Sequence, residues 1–92
     1  MVIGEASLSD LREEINEIDT SLILLLKKRF DISKDIGKYK IENNLPIENK
    51  EREKEIIASI VETSGLDEDF ISDVFNLIFK ESKRLQVELK LK

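Results

Sequence analysis

Two cationic residues interrupt the apolar pattern of the first helical segment. Its apolar positions advance in steps of three and four residues, and Arg29 occupies the position between Leu25 and Ile32. Lys40 follows eleven residues later, which in a helix is about 20° around from Arg29 and about 16 Å along the axis. Long side chains at this separation can reach one ligand that lies between them.

Polar residues also lie on the apolar faces of the next two segments. Arg52 and Glu53 precede by one turn the apolar face that begins at Ile56. Ser82 and Gln86 are four residues apart, on or beside the apolar stripe of the third segment. The inward cations outnumber the single inward carboxylate, and a buried charge needs a partner. This excess of positive charge predicts a pocket for a small dianion.

Each of these residues, taken singly, also has a structural interpretation. Arg and Lys side chains often lie along a helix with their charged ends in water. Polar residues at seam positions also fix the register of helical assemblies. Ser82 is small, and Gln86 would then lie at the edge of the stripe. Only the set as a whole favours a pocket.

Missing residue types limit the chemistry of such a pocket. The sequence has no His and no Cys, which excludes Ser-His and Cys-His nucleophiles and the commonest metal ligand. No carboxylates have the spacing of metal ligands, and no glycine-rich phosphate loop is present. We therefore expect no metal and no cofactor. Such a pocket can still catalyse a reaction by holding a flexible dianion in a reactive conformation and by stabilising the charge that develops in the transition state.

Three helical segments must position these residues, so the predicted fold class is all-α. The apolar periodicity predicts helices over about 8–42, 49–64 and 67–90. The first ends at the turn 43–46, because Pro46 disfavours helix before it and Asn tolerates turns. Asn49 is the predicted N-cap of the second helix, and Gly65 its stop. We interpret residues 1–92 as a single domain.

The length of the first helix predicts an intertwined homodimer. About 33 residues at 1.5 Å each span about 50 Å, whereas a compact chain of this size is roughly 30 Å across. Either such a helix bends back, or a second copy of the chain covers its apolar seam. Because no Pro lies inside the helix, we predict the second copy, most simply in a symmetric pairing. Gly37 lowers helix stability by about 1 kcal/mol relative to Ala, which indicates a close approach of helices there.

The composition narrows the partners and the location. The net charge is -5, so the surface should repel nucleic acid and anionic membranes. Residues 1–7 show no cationic segment followed by an apolar run, and no stretch is long enough to span a bilayer. The sequence therefore predicts a cytoplasmic protein whose partners are a small dianion and a second copy of the chain.

Several segments, in this order along the chain, resemble segments of the all-helical chorismate mutases. They are LREEINEID (11–19), KR (28–29), IGKYK (36–40), PI (46–47), ERE (51–53) and ESKRLQ (81–86). The similarity extends from about Leu8 to Gln86 with the spacing preserved across both loops. It implies conversion of chorismate to prephenate, a 3,3 (Claisen) rearrangement in phenylalanine and tyrosine biosynthesis, by a homodimer without cofactor.

The resemblance assigns the binding of the two substrate carboxylates. Arg12, Arg29 and Arg52 resemble the arginines that grip them, and Ser82 resembles a residue that assists at one. Arg12 resembles the arginine that enters from the other subunit. Helix geometry agrees, because Arg12 lies about 25 Å along the helix from Arg29 and about 100° around it.

The resemblance also assigns the remaining polar contacts. Glu53 resembles the residue that binds the ring hydroxyl, and Lys40 and Gln86 resemble the donors to the ether oxygen. With Arg29, these two are the expected catalytic residues. Asn49 departs from the Asp often found at its position. The change is mild if the backbone N–H contacts the substrate, and it affects binding of the ring hydroxyl if the side chain does.

Two alternatives follow from the sequence. Isochorismate pyruvate lyases resemble these enzymes in fold and in much of the cationic pocket, although Glu53 and the ERE motif favour the mutase. A non-catalytic helical dimerisation or regulatory module is the other alternative. It predicts that Arg29→Ala and Lys40→Ala leave the function of the protein intact.

Overall fold

Three α-helices make up the computed structural model, which describes residues 7–92. They are α1 (Leu8–Glu42), α2 (Lys50–Ser64) and α3 (Glu68–Lys90). This part of the chain contains no β-strand. The predicted all-α fold class with a long first helix is therefore confirmed.

Side-chain caps set the beginning of each helix. Ser7 Oγ accepts a hydrogen bond from the Asp10 N–H (3.1 Å), and the Asp10 carboxylate accepts one from the Ser7 N–H (3.3 Å). Asn49 and Asp67 accept from the N–H groups three residues ahead at 3.1 Å and 2.9 Å. Because both caps have non-helical backbone angles, α2 and α3 begin one residue later than the predicted 49 and 67.

The end of α2 requires a glycine. Gly65 has φ 67°, a left-handed conformation that side chains with a Cβ rarely adopt, and its N–H donates to the Val61 carbonyl. The short connection to Asp67 then reverses the chain. This turn brings α3 back along α2.

Helix α3 packs against both other helices. It contacts the C-terminal half of α1 and also α2. Arg29 lies against Phe79, and Ser33 against Gln86. Because later residues of α1 meet later residues of α3, the two helices run in the same direction. Ile71 and Phe79 are buried and form the apolar part of this packing.

Gly37 lies where α3 packs tightly against α1. A Cβ placed on Gly37 would be 2.7 Å from Gln86 Cγ and 3.3 Å from Leu89 Cδ1. Real Cβ atoms essentially never come within 3.0 Å of another side chain, so the contact with Gln86 means that any larger residue must displace α3 or its side chains. The predicted close helix approach at Gly37 is confirmed.

The N-terminal half of α1 extends beyond the rest of the chain. The described residues measure 66 × 29 × 15 Å and have a radius of gyration of 18.0 Å, against about 12 Å for a compact chain of this length. The apolar residues from Leu8 to Leu25 are exposed, with Leu22 at 60% and Leu25 at 65%. The apolar seam of α1 thus extends on the N-terminal side beyond the part of α1 that α3 covers. Within residues 7–92, no helix is long and apolar enough to cross a membrane.

Candidate active site

A cavity of about 300 Å³ lies between the C-terminal half of α1, the loop 43–49, the start of α2, and α3. All but one of the polar residues singled out in the sequence line it: Arg29, Lys40, Asn49, Arg52, Glu53, Ser82 and Gln86. Each helix contributes at least one of them. The exception is Arg12, which is exposed on the extended half of α1 and does not line the cavity.

Arg29 is held at the cavity wall by aromatic rings. Its guanidinium carbon lies 6.0 Å from the centre of the Phe75 ring and 5.6 Å from that of Phe79, within the range of cation–π attraction. Nη1 also donates to Ser82 Oγ at 3.4 Å. Burial, and secondly the charge of Arg52, lower the pKa of Arg29. An arginine remains a cation at neutral pH nevertheless, and its fork is fixed in place for an anion.

Gln86 is buried and tied to α1. Its Nε2 donates to the Ser33 carbonyl oxygen (2.7 Å) and to Ser33 Oγ (3.0 Å). The side-chain amide of Gln86 has two hydrogens, and both of its acceptors are oxygens of Ser33. Gln86 can therefore donate one hydrogen to a ligand only if the two Ser33 oxygens accept the other hydrogen together. Ser33 was not singled out from the sequence. Ser33 lies beside the apolar stripe of α1, so the sequence pattern alone does not reveal that it faces inward. Its position becomes clear only from the way α3 packs around α1.

Lys40 connects α1 to the loop that precedes α2. Its Nζ donates to the Ile47 carbonyl oxygen at 2.7 Å. An ammonium group has three hydrogens, so this bond holds Lys40 at the cavity while leaving further donors for a ligand. Lys40, which is one of the predicted catalytic residues, therefore also holds the loop before α2 in place.

Arg52 lies at the open side of the cavity. Its side chain is 65% exposed, and Nη1 is 3.4 Å from the Glu55 carboxylate. Such an exposed pair holds the side chain only weakly, so an anion can draw Arg52 inward. Asn49 Oδ1 accepts the Arg52 N–H, which commits this oxygen of Asn49 to capping the helix.

Glu53 and Lys83 form an ion pair at the cavity. Lys83 Nζ lies 2.9 Å from Glu53 Oε2 and 2.9 Å from Glu48 Oε1. The hydrogen bond to Glu48, aided by Glu53 and opposed by partial burial, raises the pKa of Lys83. Lys83 was missed in the sequence analysis. The signal was its place beside Ser82 and four residues after Phe79, on the edge of the buried stripe.

The charges around the cavity suit a ligand with two negative charges. Four cations (Arg29, Lys40, Arg52 and Lys83) line it, and two carboxylates (Glu53 and Glu48) face them, the second through Lys83. Because the exposed Glu55 holds Arg52 only weakly, two of the four positive charges remain for a ligand. Within residues 7–92, no three acidic side chains are grouped so as to hold a metal ion. The arrangement can bind a dianion, donate hydrogen bonds to it and stabilise developing negative charge.

Comparisons with known proteins agree on one family. The model of the family chorismate mutase type II matches residues 11–87. The chain is 38% identical over 85 residues to the bifunctional chorismate mutase/prephenate dehydratase of Buchnera aphidicola subsp. Schizaphis graminum, which covers 89% of this chain and 22% of that protein. It is 37% identical over 79 residues to the T-protein of Haemophilus influenzae, which covers 83% of this chain and 21% of that protein.

Two further matches are to proteins of similar length. The chain is 30% identical over 82 residues to the chorismate mutase of Methanocaldococcus jannaschii, and the match covers 86% of this chain and 83% of that one. A solved structure of a conserved hypothetical protein from Pyrococcus furiosus has a TM-score of 0.73 and 41% identity, over 90% of this chain and 99% of that one. By contrast, the chain spans about a fifth of the length of the Buchnera and Haemophilus relatives.

Proposed function

Because the chain belongs to the chorismate mutase type II family, we propose that it converts chorismate to prephenate in the biosynthesis of phenylalanine and tyrosine. The observation that carries the proposal is the convergence of Arg29, Lys40, Arg52 and Gln86, from all three helices, on one cavity. We take residues 1–92 as a single mutase domain, and the cytoplasm as its predicted location.

Binding selects the reactive shape of the substrate. Chorismate is a flexible dianion whose enolpyruvyl arm must fold over the ring before it can react. Arg29, fixed by its aromatic neighbours, takes one carboxylate with help from Ser82, and Arg52 turns inward to take the other. Two anchored carboxylates favour the folded conformer, so the entropy of folding the arm is lost on binding rather than in the reaction itself.

The rearrangement itself needs no proton transfer. The ether C–O bond breaks as the new C–C bond forms within the same molecule, and every atom of the substrate remains in the product. Because C–O cleavage runs ahead, negative charge builds up on the ether oxygen. The ammonium of Lys40 and the amide N–H of Gln86 donate to that oxygen, and such prepositioned donors stabilise the transition state more than the ground state.

Glu53 and Asn49 complete the set. The Glu53 carboxylate accepts a hydrogen bond from the ring hydroxyl. Asn49 contributes through its backbone, because its side-chain oxygen already accepts the Arg52 N–H. On this view, Asn serves as well as the Asp often found in the family.

A second copy of the chain completes the site. The uncovered apolar half of α1 is the surface on which we propose that two chains pair. Arg12 lies on this half, and about 25 Å of helix separates it from Arg29. In a symmetric pair, Arg12 of one chain therefore serves the cavity of its partner.

The test of the activity is the disappearance of chorismate, followed by its ultraviolet absorbance. Wild-type protein should form prephenate. Lys40→Ala should lower kcat roughly 100-fold or more, since removal of one transition-state donor costs about 3 kcal/mol. Lys38→Ala, an exposed lysine on the same helix, is the matched control and should react normally.

Two results would contradict the proposal. One is faster release of pyruvate from isochorismate than consumption of chorismate, which would indicate a lyase. The other is an inactive wild-type protein with the circular dichroism spectrum of a folded helical protein, which would favour a non-catalytic module.

The contribution of Arg12 from the partner is tested by mixing two inactive variants. Arg12→Ala and Arg29→Ala chains are unfolded in urea and refolded together. A mixed dimer has one intact site if Arg12 acts on its partner, so about a quarter of wild-type activity should return at random pairing. If Arg12 served the cavity of its own chain, every site would lack one arginine and the mixture would remain inactive.

A further inference from the structure

Lys83 joins two elements that meet at the cavity. Its ammonium lies 2.9 Å from Glu53 Oε2 at the start of α2 and 2.9 Å from Glu48 Oε1 in the loop before it. The Glu53 and Lys83 side chains are largely covered, at 22% and 30% exposed, whereas Glu48 is half exposed. Of the two contacts, the one to Glu53 is thus better shielded from water, and Lys83 and Glu53 both line the cavity.

The pair leaves Glu53 with one oxygen for a ligand. Lys83 engages Oε2, and among residues 7–92 the other oxygen, Oε1, has no ion-pair or hydrogen-bond partner. A carboxylate held by one oxygen keeps its plane and direction, while the second oxygen can accept a hydroxyl hydrogen. The geometry therefore suits a fixed acceptor at this wall.

Without Lys83, Glu53 would have another choice of partner. Arg29, Lys40 and Arg52 line the same cavity, and an unpaired carboxylate next to them would turn toward the nearest cation. The Glu53 carboxylate would then pair with a cation that the substrate carboxylates need. Lys83 prevents this by supplying Glu53 with a cation of its own.

We propose that Lys83 is a positioning residue that holds Glu53 toward the substrate's ring hydroxyl and away from the arginines that bind the substrate's carboxylates. This inference rests on the proposed function. It adds to the site a residue that acts on chorismate only through Glu53.

Steady-state kinetics of three variants test the inference. Lys83→Met keeps the length of the side chain and removes its charge, so KM for chorismate should rise roughly tenfold while kcat changes less than about threefold. Lys83→Arg keeps the charge and should restore most of the affinity. Lys80→Met removes an exposed lysine one turn earlier on α3 and should behave as wild type. An unchanged KM in Lys83→Met would overturn the inference.

A double-mutant cycle identifies the partner through which Lys83 acts. In a Glu53→Gln background, Lys83→Met should have little further effect on KM, because the charge that it controls is already gone. In a Glu48→Gln background, the roughly tenfold effect should persist. The reverse pattern would show that Lys83 acts by holding the loop and would overturn the proposed role.

An independent measurement does not require turnover. The side-chain carboxyl ¹³C resonance of Glu53, assigned by its loss in Glu53→Gln, is compared at neutral pH in wild type, Lys83→Met and Lys80→Met. It should move in Lys83→Met and stay in place in Lys80→Met. A resonance unmoved by Lys83→Met contradicts the inference even in an active enzyme. A moved resonance in a protein that does not consume chorismate supports the contact and contradicts the proposed function.

Discussion

The Gln86 side chain is placed by Ser33 on a different helix. The hydroxyl accepts from Nε2 at 3.0 Å, next to the carbonyl bond of 2.7 Å. Because an oxygen acceptor in a buried position orients the amide, we regard Ser33 as part of the support of the proposed donor to the ether oxygen.

Removing this hydroxyl should weaken the site without unfolding it. Ser33→Ala keeps the carbonyl bond and loses the Oγ contact, at a cost of about 1 kcal/mol in the free energy of unfolding. We expect kcat to fall severalfold, because the amide can then rotate away from the ligand. Thermal unfolding and steady-state kinetics measure the two effects. Ser59→Ala, an exposed serine on α2, is the control, and equal kcat values for the two variants would contradict this role.

The pH dependence of the reaction should be nearly flat around neutrality. The sequence contains no His and no Cys, and burial lowers the pKa of Arg29 without taking an arginine out of its charged form at neutral pH. Since the proposed rearrangement transfers no proton, kcat/KM should change less than about twofold between pH 6.5 and 8.5. A bell-shaped profile centred near pH 7 would show that an acid or base takes part.

Most of the polar cavity residues could be predicted from the sequence, and the reason is chemical. Arg29 and Lys40 are conspicuous because a charge on an apolar seam breaks the pattern. Ser33 and Lys83 are not, because a serine beside the seam and a lysine on a charged helix are ordinary. Their roles depend on the rotation and offset of α3 against α1 and α2, which periodicity along one chain does not determine.

At the scale of the helices, the ends were predictable to within a residue and the packing was not. Asn49, Gly65 and Asp67 act through short local bonds that the sequence displays directly. That α3 runs in the same direction as α1 follows only from the contacts between them. The exception is Gly37, whose small size indicated a close approach before the partner helix was known.

Substitution of Gly37 tests the contact between α1 and α3. In an open helix, Gly→Ala is stabilising by about 1 kcal/mol. Here the new Cβ would lie 2.7 Å from Gln86 Cγ, so we expect Gly37→Ala to lower the free energy of unfolding by about 1–3 kcal/mol and to reduce turnover by displacing Gln86. Thermal denaturation and the chorismate assay measure both. A Gly37→Ala variant that is more stable and fully active would contradict this prediction, because it would show that α3 can shift to admit the new Cβ without a loss in the free energy of unfolding.

Substitution of Asn49 tests the beginning of α2. Asn49→Ala removes the cap on the Arg52 N–H and should cost about 1 kcal/mol. Asn49→Asp retains the cap and should leave stability within about 0.5 kcal/mol. If the backbone of residue 49 is what contacts the substrate, Asn49→Asp should also leave KM unchanged. A large change in KM for that variant would assign the contact to the side chain.

At the scale of the whole molecule, the extended half of α1 dominates the shape. A chain with a longest dimension of 66 Å and exposed leucines along half a helix leaves an apolar surface of the kind that marks an interface. The sequence predicted this shortage of cover from helix length alone. It does not determine how the second copy crosses the first, because a heptad-like seam fits more than one offset.

A charge on this surface should separate the chains. Leu22→Glu puts a carboxylate in the middle of the exposed seam, and in the proposed dimer it would be buried without a partner. We expect sedimentation equilibrium to give the mass of one chain and the chorismate assay to show no turnover. Thr20→Glu, two residues earlier on the same helix, is the matched control. A Leu22→Glu protein that is still dimeric and active would locate the interface elsewhere.

The proposed pairing through the uncovered half of α1 also has a kinetic consequence. An enzyme whose active centre needs a residue from a second molecule obeys mass action, so its specific activity depends on its own concentration. Below the dissociation constant of the pair, diluting the enzyme twofold lowers the rate more than twofold. Chorismate, which would bind only the associated form, should draw chains together and produce a lag when a dilute stock is mixed with substrate.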